Sequence, residues 1–174
     1  MKFTPVNSGL LAGAINLILF LVLYIIGPQA FGSTWTGILL VLYSLGILIW
    51  LGFQGRKENG GYFTWFEAFK FLLIVGVIFQ LASTLTNFLF FNVLDPDFMI
   101  QVKDITIEKS VAMFEGFGMT EGQIDKAVTD IEESFEKRMS ISGQLIGFGT
   151  GVLILAAVNC LLALVIKKNR PEFA

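Results

Sequence analysis

GLLAGAINLILFLVLYII, residues 9–26, and WTGILLVLYSLGILIWLGF, residues 35–53, decide the fold. Both lie inside a stretch, residues 3–55, that carries no charged side chain. At about 1.5 Å of rise per residue, each block makes a helix of roughly 27 Å, close to the thickness of the hydrocarbon core of a bilayer. An uncharged run this long must face lipid or be buried among other helices. Between the blocks, Gly27-Pro28 leaves the helix, because proline cannot continue one and glycine readily exits. The two blocks are therefore read as a helical hairpin joined by a short turn.

Working outward, residues 54–62 hold Arg56, Lys57, Glu58 and the turn-forming Asn59-Gly60-Gly61, too polar a loop to lie in lipid. A third apolar block follows at about Phe66 to Val93, with Glu67 and Lys70 in its first turn, spaced to pair and to snorkel toward the interface. The fourth block runs from Ile141 to Ile166 and stops at Lys167, Lys168 and Arg170. The expected fold is an all-α membrane protein: four transmembrane helices, with a two-helix extracytoplasmic insertion at residues 95–139 between spans three and four. Residues 1–174 form one domain, and a chain of 174 residues that is 55% hydrophobic has no room for a separate soluble catalytic domain. The N-terminus has one lysine and no small-residue cleavage signal, so it reads as a retained anchor rather than a signal peptide.

The net charge of -2 hides an asymmetry. Between Asp95 and Arg138 there are eleven acids and five bases, whereas the rest of the chain holds three acids and seven bases. Nucleic-acid binding needs a concentrated basic surface, and the largest extramembrane segment is acidic, so that class is set aside. Lys2, Arg56, Lys57, Lys167, Lys168 and Arg170 fall on one side if four spans alternate. The positive-inside rule then places both termini in the cytoplasm and the insertion outside. Tyr24 and Trp35 would mark the outer interface, and Trp50, Tyr62 and Trp65 the inner one.

Within the insertion, Asp95-Pro96-Asp97 is a helix start, with an acid to cap, proline at the first helical position and a second acid at the positive end of the dipole. Gly116 and Gly118 break that helix. Thr120 with Gln123 forms a capping box for a second, in which Ile124, Ala127, Val128, Ile131, Phe135 and Met139 recur every three or four residues. The opposite face carries Asp125, Asp130, Glu132, Glu133 and Glu136, so the apolar stripe should pack on the first insertion helix or on the mouth of the spans.

Residues 59–70, NGGYFTWFEAFK, followed after the third span by residues 91–98, FNVLDPDF, resemble a bacterial membrane family known as domain of unknown function 4199. A glycine pair before an aromatic amphipathic lead-in, an Asp-Pro-Asp-Phe exit and a helical loop before the last span carry the resemblance, which extends over nearly the whole chain. It implies four spans in a bacterial inner membrane and supplies no activity and no catalytic residues.

The residues that could carry chemistry are few. There is no histidine, which removes histidine acid/base catalysis, histidine-ligated haem and the commonest zinc ligand. The single cysteine, Cys160, lies in the fourth block and cannot form an intrachain disulfide. No nucleophile motif and no calcium-loop spacing is present, so the expectation is a non-enzyme without cofactor or metal.

Two patterns remain. Gly9 and Gly13, and Gly143, Gly147 and Gly151, recur every four residues and are candidate helix contacts, within one chain or between copies in a homo-oligomer. Asn16 on span one, Gln80, Ser83, Thr84 and Asn87 on span three, and Asn159 on span four form a candidate polar seam, whose amides either bond each other or line a solvated pocket. No ionisable group lies mid-membrane, which argues against a proton relay. The leading expectation is an inner-membrane interaction or accessory subunit that meets a membrane or periplasmic protein through its acidic cap. The alternative is a small transporter, or transporter subunit, for a neutral or amphiphilic molecule.

Overall fold

In the computed structural model, which describes residues 2–171, the chain forms seven α-helices and, among the described residues, no strand. They are α1 (Pro5–Ile26), the single turn α2 (Pro28–Phe31), α3 (Thr34–Glu58), α4 (Trp65–Leu89), α5 (Pro96–Gly116), α6 (Glu121–Met139) and α7 (Ile141–Ile166). Residues Phe90–Leu94 continue α4 as one π-helical turn. Four helices, α1, α3, α4 with its π turn, and α7, are long and apolar enough to cross a membrane, which suggests a multi-pass membrane protein.

The helix ends follow local chemistry. Pro5 opens α1 behind Thr4, whose hydroxyl accepts from the Asn7 amide, so this helix starts four residues before its uncharged apolar block. Asp95 caps α5 through the Phe98 amide, and the Thr120–Gln123 capping box opens α6, both as the sequence predicts. The second span is longer than its apolar block. It runs on through Arg56, Lys57 and Glu58, because Arg56 Nη1 donates to the Ile166 carbonyl at 2.9 Å and its guanidinium lies 4.8 Å over the Phe53 ring. The polar loop shrinks accordingly to residues 59–64, turned by Gly60 and Gly61 at φ +74° and +86°. Glu67 does not pair with Lys70; its carboxylate accepts from the Thr64 amide and hydroxyl at 2.8 and 3.0 Å and completes a capping box.

α4 is the central helix. α1 runs parallel to it, with Gly9 set against Ile78 and Gly13 against Ala82, where an added Cβ would stand 2.7 and 2.8 Å from the neighbouring Cβ atoms. Without a hydrophobic drive between helices in lipid, such close backbone approach supplies the packing that holds them. α7 packs antiparallel on the other side of α4, with Leu155, Asn159, Ala163 and Ile166 along the contact.

α3 is different. Its buried residues, Ile47, Leu48, Leu51, Gly52 and Gly55, all lie in its second half, where Gly52 meets Ile166 and Gly55 meets the Phe71 ring. Tyr43 of the first half still packs against the core, but the turns before it stand apart from α1 and α4, with Trp35 75% and Leu39 63% exposed. Lys2, Arg56, Lys57, Lys167, Lys168 and Arg170 gather at one end, where the backbones of Phe63 and Lys168 pair. α5 and α6 close the other end.

Candidate functional site

The chain enters the cap through the π turn. Its wider loop lets the Asp95 amide bond the Phe90 carbonyl five residues back, at 2.8 Å, and swings Asn92 toward the start of α7. Asn92 Nδ2 donates to the Met139 carbonyl at 2.7 Å, and Asn92 Oδ1 accepts from Gln144 Nε2 at 2.7 Å. One side chain thus ties the end of α4 to the end of α6 and the first turn of α7.

Asp95 makes a second tie: beside capping α5, it accepts the Tyr24 hydroxyl of α1 at 2.6 Å. Around these bonds an aromatic cluster packs Phe20 of α1, Phe31 of α2, Phe91 and Phe98, with ring centroids 5.4 Å apart for Phe20–Phe91 and 5.2 Å for Phe31–Phe98. Phe135 and Met139, the last turn of the apolar stripe of α6, rest on this cluster. The first insertion helix and the mouth of the spans therefore both receive that stripe.

α6 and α7 are separate helices. Ser140 between them is extended, at φ -70° and ψ 148°, and its hydroxyl donates to the Lys137 carbonyl and accepts the Gly143 amide. Gly143 is needed here because an added Cβ would overlap the Lys137 carbonyl. The glycine row of α7 thus serves three different ends. Gly143 permits the turn, Gly147 has nothing within 4 Å and borders a cavity, and Gly151 lies against Gln80, whose Nε2 would be 2.6 Å from an added Cβ.

Two cavities open beneath the cap, one on each side of the half of α4 that leads to it. The first, about 500 Å³, lies between α1, α4 and the parted half of α3 and reaches from Asn16 and Ser83 to Ser33, Thr34 and Arg138. The second, about 370 Å³, lies between α4 and α7 and is lined by Gln80, Thr84, Gln144, Gly147 and Phe148. Asn87, Phe91, Met99 and Arg138 border both.

The candidate polar seam is accordingly divided. Asn16 donates to Ser83 at 3.3 Å across α1 and α4, and both face the first cavity. Gln80 and Thr84 face the second, and Asn87 stands on the wall between. Asn159 joins neither: it is fully buried nearer the basic end and donates to the Leu72 carbonyl at 3.1 Å, while its Oδ1 has no partner. The separation arises because the polar residues of α4 occupy two faces, one toward α1 and one toward α7.

Arg138, Asn92 and Gln144 are absent from the candidate seam, although they shape the cavities and the junction. Arg138 sits in a charged stretch that reads as solvated, and Asn92 and Gln144 come together only through the π turn. Chemically the cavities offer amide and hydroxyl hydrogen bonds, aromatic and aliphatic walls, and one fixed positive charge. Among the described residues, no group of three or more Cys, Asp or Glu side chains is placed to hold a metal ion.

The chain matches the family described as protein of unknown function DUF4199 over residues 7–168. It belongs to the DUF4199 family. The matched region of this DUF4199 protein takes in nearly the whole of all four apolar helices and the entire cap, so the π turn and both cavities lie within the family's shared domain. No match was found to a curated protein or to a solved structure.

Proposed function

We propose that this protein is a non-catalytic component of the bacterial inner membrane that docks a basic surface of a membrane or periplasmic partner through its acidic helical cap. The basic residues at the end opposite the cap support an orientation with both termini in the cytoplasm and the cap outside. The observation that carries the docking reading is the fate of the cap's carboxylates. Ten of the eleven acids between Asp95 and Arg138 are exposed, and among the described residues only Glu133 is in a salt bridge, with Lys137 at 3.1 Å. The cap's apolar side, meanwhile, is fastened to α1, α4 and α7. An anchored element with a predominantly acidic face favours a partner of opposite charge, chiefly through encounter rate and specificity.

The test is crosslinking in intact cells with the full-length protein. Its comparison is a variant carrying Asn or Gln at Asp125, Asp130, Glu132, Glu133 and Glu136, which keeps the cap's shape. One defined partner should crosslink to the wild type and be lost from the variant; an unchanged set of partners would refute the reading.

A second reading is favoured by the two cavities: binding, or movement, of a neutral or amphiphilic molecule. The full burial of Asn159, bonded to the Leu72 carbonyl, separates the polar lining from the basic end, which supports binding over a continuous path. Uptake assays in proteoliposomes separate the two.

A further inference from the structure

We propose that the cavity between α1, α4 and the parted half of α3 is a site for an anionic phospholipid from the leaflet on the cap's side, with Arg138 holding the phosphate. The proposal deepens the second reading above and rests on the same cavity, but it requires no movement of the ligand across the membrane.

Three features converge. The first is position. From Asn16 to Leu23 on α1, and from Ser83 to Phe91 on α4, the cavity follows the helices for roughly 10–12 Å at 1.5 Å per residue. It therefore runs from mid-span to the cap, where a lipid head meets water. The second is access from the side. A Cβ added at Gly37 of α3 would meet nothing within 4 Å beyond its own helix, Leu39 and Leu42 are exposed, and Leu40 turns inward to line the cavity. Lipid chains can leave through this gap while the head stays inside.

The third is charge. Among the described residues, Arg138 is the one charged side chain that lines either cavity, and no acid lines them. Lys137 beside it is engaged with Glu133, whereas among the described residues Arg138 has no carboxylate partner. A guanidinium presents a planar fork of N–H donors that matches phosphate oxygens in a bidentate manner. The hydroxyls of Ser33 and Thr34 line the same cavity and can donate to the remaining head-group oxygens, whereas that of Thr106 already donates to the Val102 carbonyl at 2.7 Å. Ser33 stands at the N-cap of α3 without a capping bond, so the positive end of that helix adds to the field the head would feel. Between the cap and the Asn16–Ser83 pair at the deep end, Phe20, Leu23 and Leu40 offer apolar surface that a free phosphate ion would not use.

The experiment uses the full-length protein in mild detergent. Native mass spectrometry and thermal stability are read after addition of phosphatidylglycerol, phosphatidylethanolamine or inorganic phosphate. Phosphatidylglycerol should be retained and should raise the melting temperature. Arg138→Gln should weaken that binding about tenfold or more, as expected for loss of charge-assisted hydrogen bonds. Arg138→Lys should lie between, and Lys137→Gln should bind as wild type. Equal stabilisation by inorganic phosphate would overturn the lipid assignment, and equal retention of phosphatidylglycerol by wild type and Arg138→Gln would overturn the role of Arg138.

A measurement on the wild type alone stands beside these: a photoactivatable phosphatidylglycerol should crosslink at Phe20, Leu23 or Leu40, and adducts confined to other surfaces would refute the site. Binding without uptake in proteoliposomes removes the transport reading and leaves this proposal standing. Uptake of a neutral amphiphile without phosphatidylglycerol binding does the reverse.

Discussion

Asn92→Leu should loosen the cap more than any other single amide substitution at this junction. The residue makes two bonds of 2.7 Å, to the Met139 carbonyl and to Gln144 Nε2. Interhelical hydrogen bonds in membrane proteins average about 0.6 kcal/mol, so the two bonds alone account for about 1.2 kcal/mol. The substitution also leaves Gln144 Nε2 without its acceptor, beside an Oε1 that is already buried and unpaired. A stranded polar group adds about 1 kcal/mol or more, which brings the total to about 2 kcal/mol. That corresponds to roughly a thirtyfold rise in the opening equilibrium of the junction.

Gln144→Leu makes the contrast. It gives up one bond and leaves Asn92 Oδ1 without its donor but removes the unpaired Oε1, so it should cost only about 0.6 kcal/mol, and Asn92→Leu/Gln144→Leu should be less destabilised than Asn92→Leu alone. Amide hydrogen exchange across residues 136–146, in detergent or nanodiscs, reads these differences directly. Equal effects of the two single substitutions, or simple additivity in the double, would refute the account of Asn92 as the tie.

The remaining expectations concern the helix junctions and the topology. Gly143→Ala should lower thermal stability by more than about 1 kcal/mol, because its Cβ meets the Lys137 carbonyl, whereas Gly147→Ala has open space and should be neutral or gain up to about 1 kcal/mol from helix propensity. Melting curves of the two variants check the pair, and the opposite order would remove the distinction drawn between these glycines. Tyr24→Phe should speed exchange at the Phe98 amide, and Asp95→Ala, which removes the α5 cap as well, should speed it further. In a Cys160→Ser background, cysteines introduced at Lys57 and at Asp125 should react with impermeant reagents from opposite sides of the membrane, Asp125→Cys from outside. Labelling of both from one side would refute the crossing of α4 between them, and labelling of Lys57→Cys alone from outside would reverse the proposed topology.

The spans were legible because lipid imposes a one-dimensional rule: a run of apolar residues of bilayer length must be helical. Caps were legible for a similar reason, since Asp95-Pro96-Asp97 and Thr120–Gln123 satisfy their own backbone within one turn. The site was less so. Asn16, Ser83, Gln80, Thr84, Asn87 and Asn159 share helical spacing, but which face of α4 meets α1 and which meets α7 is set by packing at Gly9, Gly13 and Gly151, and that divided the seam. Asn92 and Gln144 lie 52 residues apart and meet because of a single π turn that no residue type announces. Arg138 belongs by sequence to a charged surface; only the fold of α6 over the mouth of the spans brings it to the cavities.

The asymmetric anchoring of α3 has a mechanical meaning. Its second half is clamped by Ile166 and Phe71, while residues 34–46 extend from that clamp as an arm of about 20 Å. Its other end is held as well, because Gly32, just before the helix, packs against Ile105 and accepts a bond from Lys109 Nζ at 3.4 Å, so the arm is a strut braced at both ends beside the cavity.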